Sequence, residues 1–175
     1  EYEPRFLSRN VEGALISRVL NPFYWATLAG GSYGRSELAA DYYDEILFEG
    51  ATFADLSAKP TPVAMPSATD LVTGDRFPFQ QENFNLICSN LATVHLARAA
   101  AASSAVPVAL SPVTFNNYGG HCGFRFPAWI LEEAANPGPY ADTGRAQRRL
   151  QQLKELENSE ARPYLHLVDG GVSDN

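Results

Sequence analysis

One stretch of the sequence could carry a nucleophile. The run Gly30-Gly31-Ser32-Tyr33-Gly34 matches the G-x-S-x-G pattern, in which a serine sits on a strained turn between a strand and a helix. The preceding run, Pro22–Ala29, contains a proline and neither valine nor isoleucine, and the next N-cap candidate is Ser36, four residues after the serine. These flanks favour an ordinary loop at Ser32, which is kept as a second-choice nucleophile.

A carboxylate near the end of the chain is the other chemical candidate. Asp169 follows an apolar run that is typical of a buried strand, and Gly170 and Gly171 come directly after it. Glycines let another backbone or a substrate approach closely, so Asp169 could be aimed into a cleft and act as a general base. The pattern also fits a plain Asp-Gly turn, and the residues alone leave both interpretations open.

Histidines and cysteines carry less information. His95, His121 and His166 show no metal-ligand spacing, so no metal and no cofactor are predicted. His121 stands beside Cys122, but adjacent side chains rarely point at each other as a catalytic Cys-His pair must. Cys88 and Cys122 could form one disulfide bridge, and the sequence does not decide whether they do.

Helical signals dominate the first fifty residues. Asn10 is a candidate N-cap, apolar residues then recur at helical spacing, and Asn21-Pro22 ends the pattern. Ser36 is a second candidate N-cap for a helix that ends at Gly50. Between these helices, the aromatic run Phe23-Tyr24-Trp25 fits either a packed core cluster, which we favour, or a membrane-interface patch.

Strand and helix signals mix in the remainder, which predicts an α/β or α+β class. The expected elements are a hairpin turning at Thr73-Gly74-Asp75, an edge-type strand at Arg76–Phe79, an alanine-rich helix over 93–103, a strand at 113–115, helices over 127–135 and 142–160, and a closing strand at 165–168. In the last helix Leu150, Leu153 and Leu156 form one stripe, and Arg145, Arg148 and Arg149 fit a solvated face.

Composition limits the classes of function. The 175 residues are 45% hydrophobic and 19% charged, which is typical of one globular domain rather than a disordered or fibrous chain. The net charge of -7 and pI near 4.9, without a basic face, argue against a nucleic-acid partner. No apolar run reaches the length of a membrane span and no signal peptide opens the chain.

Several stretches together resemble the patatin-like phospholipase family in its bacterial form. They are Ala68–Phe77, Arg98–Pro107 continuing into Ser111-Pro112-Val113, and Val168–Asn175, and the region from Tyr43 to Leu56 also fits. The resemblance extends over nearly the whole chain, and the Asp-Gly-Gly run with its trailing Asp-Asn is its most specific part.

The resemblance implies a lipid acyl hydrolase of the phospholipase A or esterase type that uses a Ser-Asp dyad on an α/β sandwich, a mixed sheet flanked by helices. The family's aspartate maps onto Asp169, with Gly170 and Gly171 as the supporting turn. Ser32 does not map onto the family's elbow, and no glycine-rich oxyanion loop precedes it. We therefore expect residues 1–175 to form the central and C-terminal part of one domain, incomplete at its N-terminal side, with the nucleophile on a missing portion or a complementary chain.

The resemblance also leads to expectations about activity and partners, and two alternative interpretations remain open. As 175 residues, the chain is expected to show no meaningful esterase activity. Its expected partners are a lipid or other acyl ester, with peripheral membrane contact possible and no nucleic acid. The competing interpretations are a non-catalytic lipid- or protein-binding domain of the same fold and a self-contained hydrolase that uses Ser32. The compartment is open; the resemblance implies a bacterial protein, with secretion or the cell envelope among the options.

Overall fold

A computed structural model describes residues 3–29, 33–58, 65–107, 110–126, 128–136 and 143–173. Helices and short strands are mixed along these residues, which confirms the α/β class. Eight α-helices and four strands lie in the described part: α1 (Val11–Leu20), α2 (Pro22–Ala29), α3 (Arg35–Tyr43), α4 (Phe53–Ser57), β1 (Ser67–Asp70), β2 (Arg76–Pro78), α5 (Gln81–Leu86), α6 (Leu96–Ser103), β3 (Val113–Asn116), α7 (Ala128–Ala135), α8 (Thr143–Glu157) and β4 (Tyr164–Asp169).

Short turns of tighter or wider helix join some of these elements. π-helical turns occupy Glu3–Leu7 and Asp44–Phe48, and 3₁₀ turns occupy Leu91–Thr93 and Gly170–Val172. The chain divides into two compact units. Unit 1 comprises Glu1–Gln80, Leu91–Thr114 and His166–Asn175, and unit 2 comprises Gln81–Asn90 and Phe115–Leu165. That residues 1–175 belong to a single domain stays a prediction.

The four strands form one sheet in the order β2-β1-β4-β3. Strand β1 is antiparallel to both of its neighbours, so Ala68 lies opposite Phe77 on one side and Asp169 on the other. The predicted hairpin through Thr73-Gly74-Asp75 is confirmed. Pro78 lies on the edge strand β2, where a residue without an N–H group leaves no neighbouring strand short of a donor.

Alanines make up a large part of the core of unit 1, beside aromatic and aliphatic residues. Helix α3 packs on α6, and Ala39, Ala99 and Ala101 on these two helices are fully buried. Alanine allows two helices to approach closely and favours helix formation itself. The alanine-rich helix predicted over 93–103 is confirmed with its start at Leu96. The same helix also contacts strand β1.

Unit 2 is held together by an aromatic contact, a leucine stripe and a disulfide. Phe84 meets Phe115 edge to face with centroids 5.8 Å apart, and Leu153 and Leu156 are buried as the stripe predicts. Cys88 and Cys122 form a disulfide bridge, which answers the question that the sequence left open. The predicted helices over 127–135 and 142–160 are confirmed as α7 and α8 with slightly shorter bounds.

Two local predictions in the first fifty residues are wrong. The N-cap of α3 is Gly34, not Ser36, because the Ser36 side chain is fully buried and donates its hydroxyl hydrogen to the Ser111 carbonyl. The aromatic run is not a packed core cluster: Phe23 is 83% exposed and Trp25 is 56% exposed. Pro22 ends α1, as expected, but it also begins α2, since proline fits the first position of a helix.

Candidate functional site

Asp169 lies at the carboxyl end of β4, and its backbone is bonded on both sides. Its N–H donates to the Ala105 carbonyl at 3.0 Å, just beyond the end of α6. Its carbonyl accepts a hydrogen bond from the hydroxyl of the buried Thr69 at 2.8 Å. The residue is therefore fixed by a helix terminus and by strand β1 before its side chain makes any contact.

The two glycines after Asp169 form the turn that orients the carboxylate. The Gly171 N–H donates to Asp169 Oδ1 at 2.7 Å, so Asp169 caps the 3₁₀ turn Gly170–Val172. Gly170 is buried, and a Cβ there would lie 2.7 Å from the Ser67 carbonyl oxygen. A side chain does not fit at that distance, so the close approach of the backbone explains the glycine.

The second carboxylate oxygen of Asp169 takes no part in this turn. Asp169 is half-buried, and Oδ2 makes no hydrogen bond to any residue in the described ranges. A carboxylate with one oxygen held by a backbone N–H presents the other in a defined direction. That oxygen can accept a proton from a hydroxyl placed within about 3 Å.

A second aspartate, Asp70, has a structural role next to this corner. Asp70 is 3% exposed and accepts hydrogen bonds from the Val72 N–H at 3.2 Å and from the Thr73 hydroxyl at 2.9 Å. It therefore closes the hairpin that pairs with β4. The sequence placed this aspartate inside a family-like stretch without showing its function in the turn. The signal in the sequence is an aspartate placed directly before a turn, because such a side chain commonly accepts from the backbone N–H two residues later.

Ser32 lies outside the described residues, so its position relative to Asp169 is not part of the structure. Its described neighbours are informative: helix α2 ends at Ala29, and α3 begins at Arg35. The element before the serine is therefore a helix, whereas a nucleophile elbow has a strand there. Tyr33, the next residue, donates its hydroxyl hydrogen to Asp41. Partial burial, together with that hydrogen bond, raises the pKa of the Tyr33 phenol well above its ordinary value.

A cavity of about 360 Å³ lies in unit 1, next to the first turn of α6. Its lining residues are Tyr33, Glu37, Ala40, Asp41, Asp44, His95, Ala97 and Arg98. Glu37 accepts from the Gly34 N–H, and Asp44 accepts from the Gly50 N–H, so these carboxylates stabilise helix ends. Asp169 bonds to Ala105 beyond the other end of α6, roughly 12 Å of helix away. The cavity and the Asp169 carboxylate are therefore separate places in unit 1.

The remaining candidates have structural partners. Arg98 forms an ion pair with Glu37 at 3.5 Å and donates to the Thr114 carbonyl at 2.6 Å. The Thr114 hydroxyl lies 3.0 Å from His166 Nδ1. A catalytic pair of His121 with Cys122 is excluded because the sulfur of Cys122 is bonded to Cys88.

The described residues form neither a metal site nor a membrane-spanning helix. Across the described ranges, no three His, Cys, Asp or Glu side chains converge in a way that could hold a metal ion. None of the helices in that part of the chain combines the length and the apolar character that crossing a bilayer demands.

An α/β fold with an aspartate oriented by a Gly-Gly turn at a strand end is the arrangement that the Asp-Gly-Gly run predicts. The patatin-like phospholipase family model matches residues 2–175, so the chain belongs to that family. This family acts on lipid acyl esters, and the suspected resemblance is confirmed at the level of the family. No curated protein and no solved structure matches the chain.

Proposed function

We propose that this protein takes part in the hydrolysis of lipid acyl esters, and that Asp169 is the base of a Ser-Asp dyad. One observation carries the proposal. Asp169 Oδ1 is held at 2.7 Å by the Gly171 N–H, while Oδ2 makes no hydrogen bond within the described residues. A general base needs this arrangement, because a fixed carboxylate accepts a proton along one direction.

In the proposed reaction, a serine hydroxyl oxygen attacks the carbonyl carbon of the ester while its proton moves to Asp169 Oδ2. The proton then passes to the leaving alcohol, which departs and leaves an acyl-serine. Water next attacks the acyl-serine and gives its proton to the same carboxylate, which passes that proton to the departing serine oxygen as the fatty acid is released. Asp169 returns to the ionised form, so atoms and charges balance over the cycle.

We infer that the nucleophilic serine and the oxyanion donors lie outside residues 1–175. The helix that precedes Ser32 and the two residues between Ser32 and α3 support this inference, since an elbow joins a strand directly to a helix. Without oxyanion donors, each missing hydrogen bond raises the barrier by about 3–4 kcal/mol. The 175-residue chain is therefore expected to be inactive when isolated.

The test compares the 175-residue chain with a longer chain that includes the natural sequence upstream of Glu1. A fluorophosphonate probe, which labels activated serines, and hydrolysis of a short-chain nitrophenyl ester are the readouts. The short chain is expected to show neither, and the longer chain both. Turnover by the short chain that disappears in Ser32→Ala would instead make Ser32 the nucleophile.

The role of Asp169 is tested in the longer chain. Asp169→Asn is expected to lower kcat about 10³-fold, because the amide still accepts from the Gly171 N–H but cannot take a proton. The matched control is Asp55→Asn, since the Asp55 carboxylate also accepts from a backbone N–H, that of Thr52 at 2.8 Å. Equal losses in both variants would remove the catalytic role. A longer chain that binds lipid but is never labelled would indicate a non-catalytic binding domain.

The disulfide supports a location for this activity. Disulfides persist in secreted proteins and in the bacterial periplasm, and they are rare where thiols are kept reduced. The Cys88–Cys122 bridge therefore favours a location in an oxidising compartment, such as the cell envelope or the exterior of the cell. The measurement is the thiol content of protein isolated from its native cells under alkylating conditions; two free thiols would contradict this location.

A further inference from the structure

We propose that the Cys88–Cys122 disulfide of unit 2 is a thiol–disulfide exchange site, at which an external dithiol attacks Cys122 and releases residues 120–126 as a local segment. The inference goes beyond the proposed hydrolase function and does not depend on it. Three observations carry it: the exposure of the two cysteines, the polar groups beside their sulfurs, and the different ways in which the chain holds each of them.

The two cysteines of the bridge differ in exposure. Cys122 is exposed together with its neighbours His121 and Gly123, whereas Cys88 is half-buried. A disulfide breaks when a thiolate reaches one of its two sulfur atoms, and exposed disulfides exchange more readily than buried ones. The exposure of Cys122 therefore makes its sulfur the one that an external thiolate attacks.

The polar groups beside the two sulfurs favour the same direction of attack. The backbone N–H of Cys122 donates to Cys88 Sγ at 3.2 Å, whereas Cys122 Sγ lies 3.8 Å from the Asn85 carbonyl oxygen. An N–H group stabilises the negative charge that develops on a sulfur atom, and a carbonyl oxygen opposes that charge. The bond therefore breaks most easily when its electron pair goes to Cys88, which happens when Cys122 is attacked.

In the proposed exchange, a thiolate of the dithiol forms a bond to Cys122 Sγ while the bond between Cys122 and Cys88 breaks. The electron pair of that bond goes to Cys88 Sγ, and the resulting thiolate takes up a proton from water. The second thiolate of the dithiol then attacks the dithiol's own sulfur in the mixed disulfide and releases Cys122, which is protonated in turn. Two electrons pass to the bridge, and the reductant leaves as a disulfide.

The backbone around Cys88 is fixed by the cap of helix α5. The Cys88 N–H donates to the Asn85 carbonyl at 3.1 Å, and the Ser89 N–H donates to the Phe84 carbonyl at 2.9 Å, which are the two hydrogen bonds of a Schellman motif. Cys88 has a φ of 50°, in the left-handed region where this motif usually contains glycine. Backbone preference therefore does not explain a cysteine at this position, whereas the bridge that its side chain forms does.

The other end of the bridge lies in residues 120–126, which have few other attachments. Gly120 and Gly123 have φ values of 80° and 68°, and the residues from one to the other are exposed. Across the described part of the chain, the N–H groups of this segment that donate outside it are that of His121, to the Tyr118 carbonyl at 3.2 Å, and that of the bridge cysteine itself. The disulfide is thus the main tie between this segment and unit 2.

The chain on the N-terminal side of the segment is bound to unit 2 without the bridge. The Ser159 hydroxyl donates to the Gly119 carbonyl at 2.7 Å, and the Tyr118 N–H donates to the Ile87 carbonyl at 3.1 Å. Reduction is therefore expected to free the chain from Gly120 onward while these contacts persist, so that the opening is local rather than global.

The direction of attack is tested with reduced glutathione as the probe. The 175-residue chain reacts briefly, the reaction is stopped with iodoacetamide, and mass spectrometry locates the two adducts. Glutathione is expected on Cys122 and the alkyl group on Cys88, in an excess of about tenfold or more over the reverse pattern. Equal amounts of the two patterns, or an excess of glutathione on Cys88, would overturn the proposal.

The rate of reduction by dithiothreitol distinguishes attack on the folded protein from attack after unfolding. Below the unfolding transition, added urea is expected to leave this rate unchanged, because the Cys122 sulfur is accessible in the native state. A rate that rises in step with the unfolded fraction would mean that the bridge is an inaccessible structural one. The longer chain with the upstream sequence is measured in the same way, and loss of the exchange there would equally contradict the proposal.

Release of the segment is measured by trypsin cleavage after Arg125, which is exposed and lies within it. The chain that has been reduced and alkylated is expected to be cleaved there about tenfold faster than the oxidised chain. Lys154, exposed on helix α8, is the internal control and is expected to stay protected in both. Cleavage after Lys154 at the same rate would show that the whole of unit 2 unfolds, which would overturn a local release.

Two variants give the same state without a reductant. Cys88→Gly removes the bridge and suits the left-handed backbone of the helix cap, and Cys122→Ser removes the bridge from the other side. Both are expected to be cleaved after Arg125 as fast as the reduced chain, with Lys154 still protected. If either variant resists cleavage after Arg125 as well as the oxidised chain does, the bridge does not hold the segment and the proposal fails.

Discussion

Two corners of this molecule, one at Asp169 and one at Asn117, share the same local hydrogen bond. They differ in whether the other polar atom of the side chain is also hydrogen-bonded within the described residues. In unit 1 Asp169 ends β4, and its Oδ1 accepts from the N–H of Gly171, two residues later. In unit 2 Asn117 follows β3, and its Oδ1 accepts from the N–H of Gly119 at 2.9 Å, again two residues later. In each corner a glycine, Gly170 or Gly119, lies so close to a backbone carbonyl oxygen that a Cβ would not fit.

The difference lies in the remaining polar atoms. Asn117 is 5% exposed, and its amide donates to the carbonyls of Leu156 and Arg162 at 2.8 and 2.9 Å. Asp169 is half-buried and keeps Oδ2 without a partner among the described residues. A fully bonded side chain stabilises the fold, whereas a held side chain with one unused oxygen is suited to chemistry. The comparison separates a structural corner from the candidate catalytic one.

Exchanging the two side chains is expected to give the largest contrast. Asn117→Asp places a buried carboxylate against two carbonyl oxygens and removes two donors, which we expect to cost about 3–5 kcal/mol. Asp169→Asn keeps the bond from Gly171 and is expected to change the free energy of unfolding by less than about 0.5 kcal/mol. Urea denaturation of the 175-residue chain measures both. Similar costs at the two sites would break the comparison.

Removing the disulfide is expected to have the next largest effect. The Cys88–Cys122 bridge closes a loop with a sequence separation of 34 within unit 2. Cys88→Ser together with Cys122→Ser is expected to lower the free energy of unfolding by about 3–4 kcal/mol, mostly through the greater freedom of the unfolded chain. Denaturation under non-reducing conditions checks this value. No change in the midpoint would mean that unit 2 does not depend on the bridge.

The glycines of both corners are tested with the same substitution. A Cβ at Gly119 would lie 2.6 Å from the Leu156 and Glu157 carbonyl oxygens, and one at Gly170 would lie 2.7 Å from that of Ser67. Alanine at either position is expected to cost about 1–3 kcal/mol because backbone must move. The control is Gly13→Ala in α1, where the close atom belongs to the Asn10 side chain, which can turn away. Thermal unfolding that ranks Gly13→Ala as the most harmful would contradict this account.

The smallest expected effect concerns Thr69, which holds the backbone of Asp169. Thr69→Val removes the hydroxyl that donates to the Asp169 carbonyl at 2.8 Å while keeping the shape of the side chain. The expected cost is about 1 kcal/mol of stability, with a modest fall in kcat for the longer chain and little change in KM. Thr69→Ser keeps the hydroxyl and is expected to restore kcat. Failure of serine to restore it would mean that packing, not this hydrogen bond, positions Asp169.

Local signals in the sequence predicted the elements that depend on nearby residues. The Asn10 cap is confirmed, with Oδ1 accepting from the Gly13 N–H, because an N-cap involves only a few neighbouring residues. The hairpin at Thr73-Gly74-Asp75 is confirmed for the same reason. The family was also predictable, because the stretches that carry the resemblance are short runs of consecutive residues. The roles of Asp169 and Ser32 stay predictions.

Long-range contacts account for the failures. Ser36 has the residue type of an N-cap, but Ser111, 75 residues away, binds both its N–H and its hydroxyl. Phe23 and Trp25 have the residue types of a core, yet nothing in their sequence shows that no other element covers them. At Asn117 only the bond from the Gly119 N–H is local, and the Leu156 and Arg162 carbonyls reach its amide only through folding.

By itself, the sequence determined the α/β class, the family, most element positions and the aspartate that follows the last strand, because capping, turns and periodicity are local properties of the chain. Tertiary structure decided which of two similar turns is buried and fully bonded, whether Cys88 and Cys122 pair, and which aromatic side chains face solvent. The physical reason is that burial and hydrogen-bond partners depend on residues distant in sequence, and only their packing in space assigns them.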